Sequence, residues 1–338
     1  MSDLRTRLAS VPDPTLDRRP EIERAIAHSV EYLGSDAAQR SLDQDTYWPK
    51  WNSPWWHMLL LYELDEVQGI PERAVAKMIE GLNALRVKIF PIHQHEFPEG
   101  ADPHRDVSCH CAIGSIHQVL SACGVSVDHA VPWIPPWVVS YQMADGGLNC
   151  DSDAYLRTDE CPSSMVATVP LFEALLRRRE WTPEERDFVE RAAGFLIDRR
   201  LTEGSRSTHN AEEREAAPAW LDPCFPRFYF YDVLRGLAAL VRWAELGAGS
   251  LPLDAVRGVI EHLVASFPDG MIRPRRRAHA GKGTLAQHEG AWVREPASTF
   301  PLLEAASVLG EPSEALTRQW SVTRRALIGL IDDGRLAA

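Results

Sequence analysis

No stretch of the 338-residue chain comes near 18 consecutive apolar residues, the run a helix needs to cross a bilayer, so no membrane insertion is expected. The N-terminus, MSDLRTRLAS, lacks the apolar segment of a secretory signal, which makes the cytoplasm the expected location. Basic charge is scarce as well. Lys and Arg number 36 against 48 Asp and Glu, a net −12, and that balance argues against nucleic acid or an anionic membrane as partner. The run 273–277 is the one basic cluster, and it reads as a solvated loop. Alternation of apolar and polar residues forms no convincing run, so strands are not expected and the class reads as all-α. Six cysteines in a cytosolic chain of this length point to thiols, ligands or catalysts ahead of a disulfide framework.

What is present is helical periodicity over a composition of 45% hydrophobic and 25% charged residues, enough for a sizeable core. The pattern predicts helices over 21–33, 55–66, 71–87, 109–123, 183–201, 225–246, 253–267, 298–309 and 312–332, with an interrupted one over 127–143 and another running on from Pro162. Segments 202–218 and 273–295 read as long loops. The apolar helices end alike: LLLYEL near Leu61, IHQVL near Ile116, LFEAL near Leu171, VLRGL near Leu234 and LLEAA near Leu302. Such a repeat of helical hairpins is the sign of a helical array. Hairpins of amphipathic outer and apolar inner helices can close into a double-layered ring, with inner-helix N-termini converging on one end of a central cavity. The expected organisation is an N-terminal segment over 1–20 and one ring domain over 21–338, with a homo-oligomer left open.

Within 145–179 the chain reads in three parts. Asp145-Gly146-Gly147 is a turn, because glycine tolerates positive φ and aspartate bonds its own backbone. An acidic loop comes next, flanked by Cys150 and Cys161. Met165, Val169, Phe172 and Leu176 then recur on one helical face. Cys161 reads as standing at the start of that helix, with Pro162 in its first position, where a helix N-terminus lowers a thiol pKa. The same pair also fits plain packing, since free cysteine is among the most buried residue types.

Gln142 to Gly147, Cys161-Pro162-Ser163-Ser164 leading to 171–175, the turn at Asp269-Gly270 and the segment Phe225-Pro226 to Leu234 together resemble the (α/α)6 toroid superfamily of squalene and terpene cyclases and protein prenyltransferase β subunits, over about residues 20–330. Neither the DxDD acid motif nor the metal-binding DDxxD motif of terpene enzymes occurs. A narrower resemblance is to linalool dehydratase-isomerase: Cys150-Asp151-Ser152-Asp153-Ala154-Tyr155 followed by Cys161-Pro162-Ser163 is similar to its Cys-acid-x-Asp-x-Tyr…Cys-x-Ser segment. The resemblance implies a metal-free enzyme with no cofactor. Its site pairs two cysteines with a histidine, matched here by His110, and a first-repeat aspartate, matched by Asp45.

These residues suit proton transfer on a small apolar substrate: a dehydratase, isomerase or cyclase. A buried carboxyl, Asp45 or Asp232, supplies the acid; His110 moves a proton; Cys150 and Cys161 act as base or nucleophile. Trp55 and Trp56 are expected in an aromatic wall, His57 at the cavity mouth, and Tyr155, Phe228 and Tyr231 against substrate. A packed core accounts for the tryptophans equally well. Zinc is the competing chemistry, because Asp159-Glu160-Cys161 resembles the Asp-x-Cys zinc pair of prenyltransferases, with Cys224 where the third ligand would stand. Cys109, His110 and Cys111, or His93 and His95, are further loose ligand candidates. A non-catalytic helical-array binding protein is the third class.

Overall fold

Apolar and amphipathic helices share the chain, and the three most apolar of the long helices meet side by side. The computed structural model describes residues 2–88, 93–102, 105–107, 109–247 and 249–337. In order its helices are α1 (Ser2–Ser10), α2 (Pro20–Leu33), α3 (Asp36–Gln44), α4 (Pro54–Glu63), α5 (Glu72–Ala84), α6 (His110–Ala122), α7 (Val127–Ala130), α8 (Ile134–Ser140), α9 (Met165–Leu176), α10 (Pro183–Asp198), α11 (Ala211–Ala216), α12 (Val233–Glu245), α13 (Leu253–Ser266), α14 (Pro301–Ala306) and α15 (Glu314–Asp332). Two small sheets accompany them. Strand β1 (Leu251–Pro252) pairs in parallel with β4 (Leu336–Ala337), and β2 (Gly283–His288) pairs antiparallel with β3 (Ala291–Pro296). None of the described helices is long and apolar enough to cross a membrane.

Helix α4 packs on α6, α6 on α9, α9 on α12 and α12 on α15. All five line a central cavity of about 850 Å³. The approach of α6 to α9 depends on Gly114, where a Cβ would stand 2.5 Å from the Leu171 nitrogen; Gln118 then donates to the Pro170 carbonyl at 2.7 Å. The Asp145-Gly146-Gly147 turn forms as expected. Gly146 has φ +88° and a Cβ there would collide with the Arg191 carbonyl, so only glycine fits. The buried apolar residues form one cluster running from Leu4 to Leu336. Helix α1 belongs to it: Leu8 is fully buried and Arg324 donates to its carbonyl at 2.8 Å.

Several expectations are corrected. The class is mostly helical rather than strictly all-α, because 273–295 contains a hairpin whose two-residue turn, Glu289 (φ 49°) and Gly290 (φ 86°), has both residues at positive φ, the geometry that matches the right-handed twist of paired strands. Helix α12 starts at Val233, not near Phe225. The backbone N–H groups of Arg227 and Phe228 go to the Glu63 carboxylate instead of a helical ladder, and Phe228 has φ 53°. Helix α9 starts at Met165, because the Ser164 side chain caps it; Cys161 lies outside the helix. The stretch 202–218 carries α11, and 36–44 is helical under a Ser35 cap. The fifth cavity wall is α15, where the apolar stretch near Leu302 was expected.

Candidate functional site

The start of α6 builds the densest group of reactive side chains. Cys109 is its N-cap in extended backbone (φ −88°, ψ 163°), so its side chain is off the helical wheel and can meet Cys111 two residues on. The two sulfurs lie 3.2 Å apart. Cys150, from the loop after the glycine turn, joins them, and the three sulfurs all lie within 4.8 Å of one another. Thiols of Cys111 and Cys150 turned toward Cys109 hold its pKa well below the usual range. The same contact with Cys109 pushes Cys111 and Cys150 up. One shared thiolate at a helix N-terminus is the consistent reading. Cys109 and Cys150 are half-buried, hence reachable.

Next to this trio, the fully buried His110 ring places Nδ1 2.6 Å from the Asn149 carbonyl. A carbonyl only accepts, so Nδ1 carries the proton and Nε2 is the basic atom. Burial takes the His110 pKa down to about 4, leaving the ring neutral at pH 7. Asn149 organises the corner. Its side chain donates to the Pro162 carbonyl, and its backbone N–H bonds the Tyr155 hydroxyl at 3.2 Å. Tyr155 in turn donates to the Asn149 carbonyl at 3.1 Å. Rings of Trp137, Tyr141 and Tyr155 surround the imidazole at 5.6 to 6.0 Å.

The third wall comes from the segment after α3. Asp45 accepts from the backbone of Tyr47 at 2.7 Å and Trp48 at 2.9 Å, an Asx-type turn, and faces Arg105 at 3.6 Å. Burial, the largest influence, raises its pKa. Burial likewise pushes Tyr47 and Tyr229 well up, with the charge of the thiol trio adding to it, so both phenols stay protonated. Lys50 donates to the Tyr229 hydroxyl at 3.1 Å. Hairpin β2–β3 roofs this wall: Thr284 Oγ1 accepts from the Lys50 backbone at 2.6 Å, and Arg105 lies 4.4 Å over the Trp292 ring.

Of the residues expected in a site, Cys150, His110 and Tyr155 converge here, and Asp45 adjoins them only through the backbone of Tyr47. Cys161 is half-buried and is not part of the thiol group. Asp159 is exposed, and among the described residues neither it, Cys161, Cys224 nor the stacked pair His93 and His95 belongs to a group of three metal-capable side chains. His104 of the preceding loop lies outside the described residues. Asp232 is fully buried, caps α12 through the Arg235 N–H at 2.9 Å and pairs with Arg227 at 2.8 Å. Desolvation opposes its charge, but Arg227 and the backbone donors leave the pKa below the usual carboxylate range. Trp55 and Trp56 are core. His57 is not at a mouth; it is buried against Phe300, 3.8 Å between ring centres. Tyr231 commits its hydroxyl to the Leu201 carbonyl at 2.9 Å.

The central cavity has a mixed lining: Tyr62, Glu63, Gln118, Glu173, Arg177, Arg227 and Arg235 stand among apolar residues such as Leu59, Leu176, Phe225 and Leu316, and none of the three thiols lines it. Ser115 does, and Ser115 donates to the Cys111 carbonyl at 2.9 Å, one helical turn away. Phe228 lines the cavity and stacks 5.2 Å from Trp51, so an aromatic partition stands between the bore and the lysine and thiol side. Sequence reasoning missed Tyr47, Lys50, Asn149 and Tyr229. The signal for Tyr47 was there: Asp45, two residues earlier, is an Asx-turn residue whose carboxylate pins the backbone of Tyr47 and Trp48.

No family model matches the chain, and neither does any curated protein. Among solved structures it is similar to a type II terpene cyclase from Scytonema in complex with merosterolic acid A, at a TM-score of 0.29 and 13% identity over 91% of this chain and 99% of that one. A likeness at that level carries no argument for function, and the chemistry rests on the side chains themselves.

Proposed function

We propose that the chain is an acid–base enzyme of the lyase, isomerase or cyclase kind, acting without metal on a small, largely apolar substrate in the thiol pocket, on a helical-hairpin toroid like that of terpene cyclases. The observation that carries this reading is the convergence of Cys109, Cys111, Cys150, His110 and Tyr47 from three distant parts of the chain. A thiolate shared by the trio is a base; His110 Nε2 is a second one; the protonated Tyr47 phenol is a donor. Asp45 positions Tyr47 through its backbone, and Asp232 serves the fold. On this reading the half-buried rings of Trp48, Tyr141, Tyr155, Tyr229 and Phe230 face the substrate. The sequence resemblance to linalool dehydratase-isomerase, which pairs Cys150 with Cys161, His110 and Asp45, supports the roles of Cys150 and His110, while Cys161 lies apart from the thiol group.

The test is solvent deuterium incorporation into a panel of small allylic alcohols, followed by mass spectrometry. Cys109→Ala and Cys150→Ala are expected to lower incorporation by about 10² or more, whereas Cys161→Ala retains it. Undiminished incorporation by Cys150→Ala defeats the reading. The thiol trio itself favours a second reading. Three sulfurs at this spacing suit a soft divalent ion, with Zn–S bonds of about 2.3 Å. Zinc at one equivalent per chain in the purified protein would take the thiols out of proton transfer.

A further inference from the structure

The central bore and the thiol group occupy different levels of α6. The thiols gather at its first turn, whereas the bore is lined from Ser115 onward. It also reaches the last turns of α4, α6, α9 and α12, at Glu63, Ala122, Leu176 and Glu245. Four helix C-termini therefore border it, each carrying partial negative charge. Most charged groups of the lining have a partner of opposite sign. Arg235 holds Glu173 at 2.6 Å, Arg227 pairs with Asp232 at 2.8 Å, Arg242 reaches Glu245 at 3.8 Å, and Arg318 reaches Glu314 at 3.4 Å and Asp65 at 3.9 Å. Glu63 is different. Among the described residues it forms no ion pair, and its oxygens accept the backbone N–H groups of Arg227, at 2.7 Å, and Phe228. A carboxylate offers about four lone-pair sites, so half-buried Glu63 keeps acceptor capacity where it lines the bore. Burial opposes its charge and raises its pKa, against the pull of the Arg227 N–H and of the Arg235 and Arg227 guanidiniums. A cation arriving beside such a carboxylate offsets that cost.

We propose that the bore is a second ligand site, separate from the thiol pocket, that takes a small amine with an apolar body as its ammonium ion. The ammonium donates to Glu63, and the rings of Tyr62, Phe225 and Phe228 in the same lining favour a cation over their faces. Leu59, Leu176 and Leu316 receive the alkyl body. A cavity of about 850 Å³ has room for such a molecule. An anion meets an unpaired carboxylate and four helix C-termini instead. Its available partner is Arg177, which is exposed, donates to the Tyr62 hydroxyl at 3.3 Å and is screened by solvent. The site stands independently of the acid–base reading, because none of the thiols lines it.

Titration calorimetry of the full chain with hexylamine, hexan-1-ol and hexanoate tests this, since the three share an alkyl body and differ in charge. Hexylamine is expected to bind at least about tenfold more tightly than the alcohol, and hexanoate more weakly than either. Glu63→Gln, which keeps an oxygen for one backbone N–H, should erase the preference for the amine. Ala238→Phe places a ring in the bore from α12, where Ala238 is half-buried and lines the cavity. It should weaken hexylamine by about tenfold or more with an unchanged helical spectrum, and it decides the matter if the glutamine variant fails to fold. Hexylamine that binds no more tightly than the alcohol overturns the proposal, as does hexylamine binding that Ala238→Phe leaves untouched. Saturating hexylamine should leave the alkylation rate of Cys109 unchanged; protection of Cys109 would place the amine among the thiols and overturn the proposal as well.

Discussion

His57 is buried at 2% exposure with no hydrogen-bond partner for Nδ1 among the described residues, and burial takes its pKa down to about 3. The unfolded value is about 6.5. Between those two values the unfolded chain binds a proton that the folded chain does not, so stability falls as pH drops, by about 1.4 kcal/mol per unit. At pH 7 the ring is neutral in both states and this contribution vanishes. His57→Phe, which keeps the stack on Phe300, should therefore remove about 2 kcal/mol of the stability lost between roughly pH 6.5 and pH 5. Urea titrations of both proteins at the two pH values check it; equal losses in the two proteins contradict it. His57 also illustrates what sequence alone conceals. Its position beside Trp55 and Trp56 was legible, but which face of an all-apolar helix meets the cavity was not, because α4 buries every residue from Pro54 to Leu61.

At the level of elements, most helices could be read from periodicity and caps. Thr182 with Glu185 forms the capping box its sequence announces, and α13 and α15 fall within two residues of the expected limits. At α12 the failure has a tertiary cause: a distant partner redirected the backbone. Glu63, more than 160 positions away, takes the N–H groups that would have begun a longer α12, and Asp232 is thereby a cap instead of a buried charge in mid-helix. The hairpin was hidden by its exposed face, since β3 has no fully buried residue. Its turn needs Gly290 at φ 86°, a conformation β-branched residues avoid. Gly290→Val should fray β2–β3 and expose the pocket beneath it. The expected outcome is faster limited proteolysis within 283–296 and several-fold faster alkylation of Cys150, with helical circular dichroism unchanged. A roof that stays protease-resistant in the variant would show the hairpin to be held by something other than its turn.

For the molecule as a whole, the repeat of apolar helices was legible and the last cavity wall was not. Five helices line the bore, and the fifth is the final α15 rather than the stretch near Leu302; α15 carries Gln319 and Thr323 on the cavity face, polar residues that disguise an inner helix. Charged pairs such as Arg235 with Glu173 at 2.6 Å interrupt the apolar lining that was expected. Reactive thiols gather instead at the other side of the Phe228–Trp51 partition. The cysteine loop pointed to that neighbourhood, while the pairing of Cys150 with the Cys109–Cys111 pair depends on the extended backbone at Cys109. The most direct measurement is the rate of iodoacetamide alkylation at each cysteine, mapped by mass spectrometry across neutral pH. A shared thiolate predicts a Cys109 rate that stays level as pH falls through 7, while Cys123, whose pKa burial raises, slows about tenfold per unit. A Cys109 profile as steep as that of Cys123 would contradict the account.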